Sequence, residues 1–192
     1  MPDQTAPYFD PNDPVSYRTL YVHYYKKLYN YGRKFTTDHV LIEDSIQDIF
    51  LDYWNKQDRI DQPAALNSFL FTAFRYSLFR KMQRAQRQLP LTDQADEPAF
   101  YASAFFTRDN TPEELAEKIR LAMESLTPRQ REALFLRFYE ALSYEEIADI
   151  MHITVKASYK LMARSLLQLK QALTSAAWWW LVTALVEARK NS

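Results

Sequence analysis

The sequence predicts an all-α protein of two small helical domains joined by a linker, and three observations point that way. Gly32 is the only glycine among 192 residues, too few for a sheet-rich fold built on tight turns. Apolar residues recur at steps of three and four through both halves of the chain. In the second half, one helix-capping sequence follows another. With 47% apolar residues the chain can build cores in both halves.

The first domain is expected over 16–89, as aromatic-rich helix interrupted around 58–67, where Pro63 falls. Within 42–54, Ile42, Ile46, Ile49, Phe50, Tyr53 and Trp54 form one stripe, and Asp44, Asp48 and Asp52 line up four apart on another. Like charges at that spacing repel by about 0.2–0.5 kcal/mol per pair. A basic protein partner would account for them; a merely solvated acidic face is the alternative. Further on, no acid occurs between Asp61 and Asp93, yet Arg75, Arg80, Lys81, Arg84 and Arg87 lie there among Phe69, Phe71, Phe74, Tyr76 and Phe79. Such a helix suits single-stranded nucleic acid, with cations tracking the backbone and rings stacking on unpaired bases. Leu70, Phe71, Phe74 and Leu78 share its buried stripe; Tyr76, Arg80, Gln83, Arg84 and Arg87 share the face assigned to function.

The stretch 90–112 has three prolines, Pro90, Pro98 and Pro112, and no period, and reads as the linker. Residues 90–125 hold 3 basic and 8 acidic side chains, so the middle of a chain with no net charge is acidic. The second domain, 113–173, follows with helices expected near 112–125, 128–140, 143–151 and 155–173. Thr111-Pro112-Glu113-Glu114, Thr127-Pro128-Arg129-Gln130 and Ser143-Tyr144-Glu145-Glu146 read as capping boxes, two of them with Pro at the first helical position. The turn His152-Ile153-Thr154 between the last two helices has helix-turn-helix spacing, with Thr154 as N-cap. In the helix after it, Val155, Ser158, Met162, Leu166 and Leu169 mark the buried stripe. Lys156, Tyr159, Lys160, Ala163 and Arg164 recur on another face, and no acid lies between Asp149 and Glu187. That face suits a major groove, where phosphates and base edges meet a helix; the alternative is a solvated helix in a fold that binds no DNA. The remainder, 174–192, reads as an aromatic helix whose Trp178, Trp179 and Trp180 cannot all face one side. Packing against a domain of its own chain is the favoured expectation, ahead of an inhibitory partner or a membrane surface.

Composition excludes much chemistry. Without cysteine there is no disulfide, zinc ribbon, iron–sulfur site or thiol nucleophile, and His23, His39 and His152 have no metal-ligand spacing. A single glycine rules out phosphate-cradling loops. We therefore expect no catalytic residue, metal, cofactor or small-molecule substrate. Residues 1–14 lack the basic leader and apolar core of a signal peptide. The apolar stretch 176–186 is shorter than the roughly 17–25 residues of a spanning helix. The expected address is cytoplasmic.

Taken together, these segments resemble the sigma-70 family of bacterial transcription initiation factors, specifically its compact extracytoplasmic-function group. Ile42-Glu43-Asp44-Ser45-Ile46-Gln47-Asp48-Ile49-Phe50-Leu51 looks like that family's polymerase-binding helix, with Asp44, Gln47 and Asp48 at the gripping positions. The segment 69–87 looks like the helix that melts and reads the −10 element, which implies DNA contacts for Arg75, Tyr76, Arg80, Gln83, Arg84 and Arg87. Residues 126–170, with Leu-Thr-Pro-Arg-Gln-Arg-Glu-Ala-Leu at 126–134 and Leu-Ser-Tyr-Glu-Glu-Ile-Ala at 142–148, look like the −35-reading domain. There Lys156, Tyr159, Lys160, Ala163 and Arg164 would touch DNA. The resemblance implies core RNA polymerase, promoter DNA and an anti-sigma factor as partners, and no enzymatic activity of its own. Several positions depart from the family's pattern: Tyr76 stands for a frequent Asn and Arg80 for Asp, Ala141 and His152 for glycines, Ser158 for valine and Leu161 for a basic residue. Because a positive φ strains a side-chain-bearing residue, His152 is expected to adopt a different turn. The competing function is a helix-turn-helix regulator with a helical sensor or partner-binding domain in front. An enzyme acting on nucleic acid would need metal-binding carboxylate pairs beside the basic surface, where the sequence is free of acid.

Overall fold

The computed structural model describes residues 14–56, 63–87, 100 and 112–190, and every regular element among them is a helix. They fall into two compact units, Met1–Asp96 and Glu97–Ser192. The capping residue Thr111 and the stretch read as linker, apart from Phe100 and Pro112, lie outside the described residues, as do the side chains of Trp54 and Arg87.

The first unit consists of α1 (Pro14–Gly32), α2 (His39–Lys56) and α3 (Pro63–Arg87), each packed on the other two. The sequence reading did not mark the break between α1 and α2. It is made by Asp38, whose carboxylate accepts from the Leu41 amide at 3.0 Å as an N-cap. The expected stripes are buried: Ile42, Ile46, Ile49, Phe50 and Tyr53 from α2 meet Leu70, Phe71, Phe74 and Leu78 from α3. Tyr31 fills the centre, its ring 5.4 Å from Phe71 and 6.0 Å from Phe74. Gly32 is there for space. A Cβ on it would sit 2.9 Å from Phe74 Cζ and 3.0 Å from Ile42 Cγ2. Burial, with Tyr17 beside it, pushes the Tyr53 phenol up to about 12, so this core hydroxyl keeps its proton.

The second unit consists of α4 (Glu113–Glu124), α5 (Pro128–Phe138), α6 (Tyr144–Met151), α7 (Val155–Ala172) and α8 (Ser175–Lys190). Two of the three capping boxes form as read. The Thr127 amide donates to Gln130 Oε1 at 2.8 Å and the Gln130 amide to Thr127 Oγ1 at 3.3 Å. In the second box, the Ser143 amide donates to Glu146 Oε2 at 2.7 Å and the Glu146 amide to Ser143 Oγ at 3.1 Å. The third is corrected: α4 starts one residue later than expected, and Pro112 is its N-cap, with no side-chain capping bond. Gln130 then hands on to Gln168 Oε1 at 3.2 Å, and Gln168 donates to the Ser125 carbonyl at 2.7 Å, tying α7 to the start of α5.

The expected departure of His152 from the glycine geometry is overturned. His152 takes φ 52° and ψ 52°. The Ile153 amide bonds the Ala148 carbonyl at 2.9 Å and the His152 amide the Asp149 carbonyl at 3.2 Å, the paired bonds of a Schellman end. Ala141 is likewise at φ 54°, so both residues in family glycine positions hold the left-handed conformation. Satisfying the last carbonyls of α6 outweighs the strain.

The aromatic tail is part of the second unit. α8 packs against α4, α5 and α7, with Ala177, Leu181 and Leu185 buried and Trp179 67% exposed. Phe100, within the stretch read as linker, is also buried, its ring 6.1 Å from that of Phe135. Among the described residues no helix is long and apolar enough to cross a membrane.

Candidate functional site

Three surfaces carry the residues that the sequence singles out. On α2, burying Ile42, Ile46, Ile49 and Phe50 turns Asp44, Gln47 and Asp48 outward, and all three are exposed. Asp48 is not alone: Lys81 Nζ of α3 lies 2.9 Å from its Oδ2. Leu51, 65% exposed, shares the helical face of Asp44, Gln47 and Asp48 and was absent from the sequence reading. Its signal was an apolar residue off the buried stripe. An exposed leucine among acids is a surface that combines charge with apolar contact, as docking faces do.

On α3, Tyr76 is 65% exposed, and the Arg80 guanidinium lies 6.0 Å from its ring centroid. Gln83 and Arg84 continue this exposed face along the helix. Arg75 does not join it. It is half-buried, its guanidinium 4.4 Å from the Phe79 ring centroid, and Phe79 stands edge-on to Phe35 at 4.9 Å. The backbone of Arg87 belongs to α3.

On α7, Lys156, Tyr159, Lys160, Ala163 and Arg164 are all exposed. The buried stripe is corrected at three residues: Ser165 is fully buried with its hydroxyl donating to the Leu161 carbonyl at 2.7 Å, Leu166 is only half-buried, and Val155 is 39% exposed. Val155 is the first residue of α7, next to exposed Lys156. Ser158 is buried, and its hydroxyl donates to the Tyr144 carbonyl at 3.1 Å as well as to Val155 at 2.8 Å. A valine there could not make this tie between the two helices of the motif.

A basic α3 interleaved with aromatic residues, following an acidic α2, and a helix-turn-helix whose second helix exposes its cations occupy the two units in the order in which two family profiles match. Sigma-70 region 2 matches residues 20–88, and Sigma-70, region 4 matches residues 116–169. The chain belongs to the sigma-70 family. Among the thirteen solved chains that match is the sigma factor RpoE in complex with the anti-sigma factor NepR from Bartonella quintana. That chain is 22% identical, with a TM-score of 0.56 over 81% of this chain and 95% of its own. No curated protein sequence matches. As a sigma factor of the extracytoplasmic-function group, the protein binds core RNA polymerase and promoter DNA, directs the enzyme to promoters and assists their melting. Nucleotide polymerisation belongs to its partner, and the sigma factor is no enzyme. The region 2 match across the first unit disfavours a helix-turn-helix regulator carrying a sensor domain.

Proposed function

We propose that this sigma factor grips a basic surface of core polymerase with Asp44, Gln47 and Asp48, reads the −10 element with α3 and reads the −35 element with α7. The −10 face comprises Tyr76, Arg80, Gln83 and Arg84, with Arg75 and Arg87 in support. The −35 face comprises Lys156, Tyr159, Lys160, Ala163 and Arg164. The stretch 90–112 links a polymerase-binding domain at 16–89 to a −35 domain at 113–173. The protein works in the cytoplasm and is held by an anti-sigma factor, as the RpoE chain is held by NepR.

The observation that carries this reading is the first three turns of α7: exposed Lys156, Tyr159, Lys160 and Arg164 lie on one face of a helix-turn-helix, with no acid from residue 150 to 186. Phosphates and base edges are what such a face complements. Run-off transcription with purified core polymerase on a promoter library tests it. Wild-type protein should select two elements. Exchanging Lys160 and Arg164 for alanine should abolish selection at the upstream one while leaving core binding intact, and unchanged selection at both would overturn the assignment.

A further inference from the structure

Tyr159 is half exposed on the reading face, yet its ring is held. It stacks on Tyr144, the first residue of α6, with centroids 3.9 Å apart and planes at 28°. The guanidinium of Arg137, near the end of α5, lies 4.6 Å from the centroid of Tyr144. With one face of that ring taken by Tyr159, the guanidinium has the other. Arg137 is fixed in turn, because its Nη1 donates to the Leu142 carbonyl at 2.6 Å. Beside the stack, the Ser158 hydroxyl donates to the Tyr144 carbonyl at 3.1 Å, so the first turn of α6 is joined to residues 158 and 159 by two separate contacts. A column runs from the Leu142 carbonyl through Arg137 and Tyr144 to Tyr159, and ends in solvent on the face of Lys156 and Lys160.

A lone tyrosine on a helix surface samples several rotamers and loses that freedom when it meets a base. Here the freedom is already spent in the folded protein. The stack covers one face of the ring and leaves the rest exposed, and its edge and hydroxyl can contact a thymine methyl or bond an acceptor on a base edge in the major groove. We infer that Tyr144 and Arg137 are positioning residues that set Tyr159 to read one base pair, an inference that rests on α7 being the −35-reading helix. A merely structural stack would affect all DNA equally. A positioning stack changes preference at the base pair that Tyr159 reads and nowhere else.

The experiment uses the full chain assembled with core polymerase and a promoter pool randomised across the −35 element, read as base preference at each position. Melting curves confirm that each variant is folded. Tyr159→Leu should flatten preference at one base pair by about tenfold, the scale of a single base contact. Tyr144→Leu should flatten the same base pair to a similar extent, Tyr144→Phe should restore it, and the double variant Tyr144→Leu/Tyr159→Leu should be no worse than Tyr159→Leu alone. If Tyr159→Leu changes nothing, Tyr159 is no reader, and both the inference and that part of the proposed interface fall. If Tyr159→Leu flattens a base pair that Tyr144→Leu leaves intact, or Tyr144→Leu weakens every sequence equally, only the positioning role is overturned. Should Tyr144→Leu melt below the assay temperature, Arg137→Met carries the test: the same base pair should flatten, and an unchanged preference would overturn the inference.

Discussion

Ala141 and His152 show how much a helix end will tolerate to satisfy its carbonyls. Each sits near φ 50°, where a side-chain-bearing residue loses about 1–2 kcal/mol relative to the right-handed form. Glycine would avoid that strain at an unfolded-state cost of about 0.5–1 kcal/mol. Ala141→Gly should therefore stabilise the second unit by about 0.5–1 kcal/mol, seen as a melting temperature raised by a few degrees. His152→Gly should act in the same direction and less, since histidine visits this region more readily than most residues. Gly32 is the opposite case, because crowding rather than backbone conformation excludes a side chain there. Gly32→Ala should cost the first unit about 1–3 kcal/mol in denaturant unfolding as Phe74 and Ile42 are forced aside.

At the scale of elements, the two docking helices of the first unit are coupled. Lys81 of α3 pairs with Asp48 of α2, so on the proposed assignment a basic polymerase surface would meet Asp48 partly neutralised. Asp48 is exposed and Lys81 partly covered, and the pair contributes about 1 kcal/mol or less to folding. Lys81→Met should leave melting nearly unchanged and tighten core binding severalfold, as titrated against labelled core enzyme. Asp44→Lys should weaken that binding by about 2–5 kcal/mol. In the second unit α8 is structural: Leu181→Ala should cost about 2–5 kcal/mol in unfolding, whereas Trp179→Ala, at an exposed ring, should stay within about 0.5 kcal/mol. Helix starts at Thr127, Ser143 and Thr154 were legible because capping is a local code written within four residues. The buried stripes of α2 and α3 were legible from period alone. What escaped the sequence depends on contacts distant along the chain: the Asp48–Lys81 pair, the burial of Phe100 and the exposure of Val155, whereas the packing of α8 on its own chain was the favoured expectation. The candidate DNA faces were legible because they are simply what remains when the apolar stripes turn inward. Arg75 shows the limit, since nothing in its spacing reveals that its guanidinium lies over Phe79.

For the molecule as a whole, 24 basic and 24 acidic residues mean that attraction to DNA comes from local faces and not from net charge. Binding to a −35 duplex should accordingly be salt-sensitive, and removing one phosphate contact with Lys160→Ala should lower the slope of log affinity against log salt by about 0.9. Each reading helix belongs to a different unit, but the two units are closed by different stretches of sequence. The first is complete once α3 has been made, whereas the second depends on α8, whose buried Leu181 and Leu185 lie about a hundred residues further along. At roughly 5–20 residues per second that separation delays the second core by about 5–20 s during synthesis. Pulse proteolysis of ribosome-bound chains of increasing length should find the first unit protected well before the second, and simultaneous protection would refute the order. On the proposed assignment, a nascent chain would therefore mature its polymerase-gripping half first and acquire upstream promoter reading only when α8 clears the ribosome, so a translating ribosome would itself separate the two capacities in time.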